Sequence, residues 1–107
     1  MGWGYVTKES EKANTVWDAR AIIEGESFSI LHDRQSIRGN GKKIAGLLNG
    51  GVLAAVRDKV TKLRKAGEIR ADEAKEHVLY DDDELRVVGN TNASFGYLYL
   101  VGFIKEK

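Results

Sequence analysis

The sequence predicts a small single α+β domain over residues 1–107, with helices first and a C-terminal β-hairpin last. Three observations carry that expectation. Residues 42–69 have apolar side chains at helical spacing, residues 95–104 alternate as a strand does, and the segments between them are rich in Gly, Asn and Asp, which favour turns. A chain of 107 residues is long enough to bury one hydrophobic core and short for two. Apolar residues at 42% and charged residues at 31% are ordinary globular values, which argues against a disordered chain.

Taken in order, residues 1–6 are short and aromatic, and Trp3 and Tyr5 are expected to pack on the core or on an edge. Residues 7–24 read two ways. As a helix they start at a Thr7 cap, place Ala13, Val16, Trp17, Ala21 and Ile23 on one broad face, and stop at Gly25. As a strand, Trp17, Ala19, Ala21 and Ile23 alternate with polar residues and turn back through Glu24, Gly25 and Glu26. The helix formers in 8–12 and 18–24 favour the first reading. Residues 27–31 follow as a strand, and 32–41 as a polar, turn-rich connection.

A short helix is then expected over 42–48, a tight turn at Asn49, Gly50 and Gly51, and a longer helix over 52–66. Val56, Val60 and Leu63 define the buried side of the longer helix, and Gly67 is its stop. Residues 71–77 are a charged loop or helical turn. Strands at 77–80 and 85–88 flank the acidic run Asp81, Asp82, Asp83 and Glu84, and a turn over 89–94 leads into the last strand. That strand is apolar on both faces, with Phe95, Tyr97, Tyr99, Val101 and Phe103 on one side, so it belongs in the middle of its sheet.

The net charge of +1 conceals a strong segregation. Residues 38–70 carry nine basic and two acidic groups, a net of +7, whereas 71–94 carry two basic and seven acidic, a net of −5. These are either two solvated faces that neutralise each other or the footprint of a charged partner.

Dedicated chemistry is not marked. No cysteine is present, so disulfides, thiolate metal sites and a cysteine nucleophile are excluded together. His32 and His77 are too far apart for a helical metal pair, and Ser36 and Ser94 lack the surroundings of a nucleophile elbow. The acidic run fails as a calcium loop because Leu85 stands where a third ligand belongs. Gly39 and Gly41 lack the third glycine of a dinucleotide fingerprint, and Ser36 stands where a phosphate loop needs glycine. The expectation is a non-enzyme with no cofactor and no metal. No apolar run approaches the ~20 residues that span a bilayer. Val6 stands where a myristoylation signal needs Ser or Thr, so no membrane partner and a cytoplasmic location are expected.

Ile44, Ala45, Leu48, the glycine turn, Val56, Leu63, Gly67 and Ile69 resemble the apolar skeleton of a helix-turn-helix. Its second helix ends in the Leu-x-x-x-Gly-x-Ile pattern of the winged-helix superfamily. The resemblance spans Ile44 to Ile69 and implies a winged-helix-like fold. It also implies a nucleic-acid-binding, DNA-binding regulator in which Arg57, Lys62, Arg64 and Lys65 reach phosphates, Lys42 and Lys43 assist at a helix start, and residues 90–94 form the wing. Val52, Leu53, Ala54 and Ala55 have no donors for base edges, so contact is expected with the backbone and not with base sequence. In general character, a compact cysteine-free domain with segregated charge also resembles the inhibitors and immunity proteins of phages and mobile elements. That resemblance implies a protein partner met by charge complementarity.

Overall fold

A computed structural model describes residues 7–24, 27–33, 39, 41–69, 75–92 and 97–105. Thr7 does cap a helix, α1 (Lys8–Lys12), but that helix stops after five residues. The Thr7 hydroxyl accepts from the Ser10 amide at 2.9 Å, and the Ser10 hydroxyl accepts from the Thr7 amide at 2.8 Å. From Val16 onward the chain is strand β1 (Val16–Glu24), which replaces the second and longer part of the expected helix over 7–24. The reason is tertiary. β1 finds an antiparallel partner on each side, and Trp17, Ala19 and Ala21 alternate with Val16, Asp18 and Arg20 across the sheet. Pairing on both edges outweighs helix preferences of a few tenths of a kcal/mol per residue.

The remaining strands are β2 (Ser27–Asp33), β3 (Glu76–Asp81), β4 (Leu85–Asn92) and β5 (Tyr97–Ile104), in the order β2-β1-β5-β4-β3 with every neighbour antiparallel. Helices followed by a C-terminal hairpin, in a winged-helix-like arrangement, are therefore not what the chain adopts: a five-stranded sheet dominates the fold. β5 does lie at the centre, paired with β1 from Val16–Phe103 to Ile22–Tyr97 and with β4 from Leu85–Ile104 to Asn92–Tyr97. Gly89, Asn90, Thr91 and Asn92, expected in a turn, continue β4 because each has a register partner on β5. The expected wing is strand as far as Asn92, and residues 93 and 94 lie outside the described residues. His32 and Asp33 likewise belong to β2 and not to the connection after it. The expected turn at 25 and 26 and most of the 71–77 segment also lie outside the described residues.

The two expected helices are present as α2 (Gly41–Leu47) and α3 (Leu53–Lys65), but no tight turn separates them. A π-helical turn, Leu48–Val52, joins them, and Leu47, Val52 and Leu53 keep right-handed helical dihedrals. Within it Gly51 has φ +95°, a left-handed conformation open to glycine at little cost, so the chain passes the two glycines without leaving the helix. Both halves pack on the sheet, α2 against β1 and β5 and α3 against β3. α3 ends at Gly67, φ +76°, in a Schellman motif: the Gly67 amide donates to the Arg64 carbonyl at 3.0 Å and the Glu68 amide to the Leu63 carbonyl at 2.8 Å.

Ile44, Leu48, Val52, Val56 and Val60 pack down onto Trp17, Ala19, Ala21, Leu79, Leu85, Val87, Leu98 and Leu100. Burial of each valine stabilises the fold by roughly 1.5–3 kcal/mol. On the other sheet face Ala13, at the end of α1, joins Val16, Val88, Val101 and Phe103 in a smaller cluster. The consequence for function is simple. α3 gives one side to the core and presents the other to solvent.

Candidate functional site

With Val56 and Val60 buried, 3.6 residues per turn fixes where the rest of α3 points. Ala54, Asp58, Thr61 and Lys65, at intervals of four, three and four, form the outermost stripe. Arg57 and Arg64, two turns apart, share one flank, and Lys59 and Lys62 share the other. Arg57, Lys59, Lys62 and Lys65 are exposed and Arg64 is half-buried. Four of the candidate residues, Arg57, Lys62, Arg64 and Lys65, are thus brought onto one helix, yet on both of its flanks. Lys59, outside the four expected contacts, is placed beside Lys62 by the helical period. Lys62, Arg64 and Lys65 also occupy the last turn, where cations interact favourably with the carbonyl end of the helix.

Lys42 and Lys43 are exposed near the start of α2. Roughly 30 Å of helix, at ~1.5 Å per residue, separates them from Lys65. The Lys43 ammonium lies 3.9 Å from the Glu84 carboxylate, on the acidic turn. Gly39 abuts the Asn14 carbonyl and Thr15, so protein already occupies one side of the glycine considered for an anion cradle.

The acidic turn is organised by its own hydrogen bonds. Asp82 Oδ1 accepts from the Glu84 and Leu85 amides at 2.8 and 2.7 Å, and its Oδ2 accepts from the Tyr80 hydroxyl at 2.7 Å. Asp81 accepts from the Lys105 ammonium and the Arg86 guanidinium, each at 2.8 Å. The Lys105 hydrogen bond, aided by the charges of Lys105 and Arg86, holds the Asp81 carboxyl below its ordinary range. The Leu85 amide, the Tyr80 hydroxyl and the Glu84 amide do the same for Asp82, and the hydrogen bond to Asp82 in turn raises Tyr80. Lys75 lies 3.7 Å from Glu68, just past the end of α3, so β3 begins at that end of the molecule. It then runs roughly 20 Å back to the acidic turn. Acidic turn and basic helix end are held at opposite ends of α2–α3.

Beside α3, Ile30, Leu53, Ala54 and Arg57 line a depression of about 210 Å³ between the helix and β2. A second, of about 290 Å³, lies between α1 and the end of β5, lined by Glu9, Lys12, Ala13, Phe103, Ile104 and Lys105. Among the described residues no three His, Asp or Glu side chains converge on a metal position, and no helix is long and apolar enough to cross a membrane. No protein-family model matches the chain, and no curated protein matches it.

Proposed function

We propose that the solvent-facing surface of α3 binds nucleic acid through its phosphates, with Arg57, Lys62, Arg64 and Lys65 as the contacting cations and Lys59 completing their surface. The observation that carries this reading is the separation of charge along α2–α3: the acidic turn engages Lys43, Lys105 and Arg86 at one end, away from the cations of α3 at the other. Cations on both flanks of a protruding helix suit a polyanion that runs along it, since each contact releases condensed counterions. Asp58, in the middle of the outer stripe, offers no attraction to phosphate, which favours contact through the flanks and through Lys65 at the helix end.

Fluorescence anisotropy of a labelled nucleic acid titrated with the protein at two salt concentrations tests the reading, beside a variant with Arg57, Lys62, Arg64 and Lys65 changed to Ala. Binding that weakens steeply with salt and is lost in the variant supports it. No binding at low salt would sink it and direct the search to a protein partner.

A further inference from the structure

We infer that the depression lined by Ile30, Leu53, Ala54 and Arg57 receives an unstacked nucleobase, so that α3 takes single-stranded nucleic acid with one base held beside the helix. This inference rests on the phosphate-binding reading of α3 and adds a site to it.

The local sequence builds the depression. Leu53 and Ala54 precede Arg57 by four and three residues, so Leu53 and Arg57 lie on the helix flank beside Ile30 of β2 and Ala54 borders it on the outer side. Ala54 is the small member of that set. Its methyl group takes up little of the volume of about 210 Å³ that it lines together with Ile30. Among the described residues its lining is three aliphatic side chains and a guanidinium. An apolar floor beside a planar cation suits the face of a base, which stacks on guanidinium and aliphatic surface whatever its edge carries. The same lack of donors that denies Leu53 and Ala54 any contact with base edges makes them good neighbours for a base face. Arg64 follows Arg57 on this flank about 10 Å further along the helix axis, so a strand whose base enters the depression meets a second cation as it continues. A base is available in this way only where it is not already stacked in a duplex, which selects a single strand.

The depression between α1 and β5 lacks this combination. Its Lys105 is engaged with Asp81, and the basic helix does not reach it.

The test uses the whole protein and three labelled probes: an oligothymidylate of about twelve nucleotides, a strand with the same phosphates but no bases, and a duplex. The wild type is expected to bind the oligothymidylate about fivefold more tightly than the abasic strand, in line with the worth of an exposed contact between a guanidinium and an aromatic ring. Ala54→Leu fills the depression from an exposed position, so circular dichroism should be unchanged. The variant should lose that preference while keeping wild-type affinity for the abasic strand and the duplex. Equal wild-type affinity for the base-bearing and abasic strands overturns the base site and leaves phosphate binding standing. A preference that survives in Ala54→Leu also overturns it. Failure of the wild type to bind any of the three probes removes both readings together.

Discussion

The acidic turn and α3 are the two most charged regions of the molecule, and they use charge in opposite ways. In the turn, the carboxylates of Asp81 and Asp82 accept five hydrogen bonds between them from side chains and amides of the protein, one of them from Lys105 just past the end of β5, so their charge orders a β3–β4 connection. On α3, Arg57, Lys59 and Lys62 project from a helix whose stability comes from Val56 and Val60 beneath it. Similar charge density is thus turned inward onto partners in one region and outward to solvent in the other.

The comparison breaks most sharply on the α3 side. Changing Arg57, Lys62, Arg64 and Lys65 to Ala should weaken nucleic-acid binding on the order of 100-fold at low salt, and the wild-type slope of log affinity against log salt should be about −3. Thermal stability should fall by only about 1–2 kcal/mol, the worth of three cations near the carbonyl end of the helix. A large loss of stability in this variant would mean that α3 carries its cations for structural reasons. Gly51→Ala acts between the two regions. Nothing lies within 4 Å of a Cβ at that position, so the cost is the strain of φ +95° alone, about 1 kcal/mol by denaturant unfolding.

Asp82→Asn should lower the melting temperature at neutral pH without changing nucleic-acid binding. Because the folded Asp82 carboxyl lies below its ordinary value of 3.8, the stability it contributes is complete above that value and is lost as pH falls below it. The gap in melting temperature between wild type and Asp82→Asn should therefore close on acidification through that range. A gap that persisted at low pH would point to lost packing instead of lost charge. Lys43→Ala should do least. Its ion pair with Glu84 is 3.9 Å long and half-exposed, so both stability and binding should stay close to wild type. A clear loss of binding would show that the ligand reaches along the whole of α2–α3.

Helices α2 and α3 were legible because their apolar period is local, and so was the central place of β5, whose two apolar faces demand cover on both sides. β1 was not, because its decisive partner, β5, is distant in the chain, and the register of Val16 with Phe103 leaves no trace near Val16. The glycines at 50 and 51 pointed to a tight turn, whereas with both helix halves packed on one sheet the chain stays helical through them. For the site, residue type and helical position were legible. The engagement of Lys43 by Glu84 and the meeting of Ile30 with Leu53, Ala54 and Arg57 depend on how strands and helix stack, and no single stretch encodes either.

The central position of β5 carries a kinetic consequence. β1 and β4 meet only through it, so the hairpins β1–β2 and β3–β4 cannot join until Tyr97–Ile104 has left the ribosome. Until then each hairpin has an open edge, and the apolar side of α3 has only part of its floor. Closing Val16 onto Phe103 is a long-range step, which slows folding relative to helical chains of similar length. Nascent chains halted before Tyr97 should be the most prone to aggregate, and the pairing of β5 should coincide with acquisition of protease resistance.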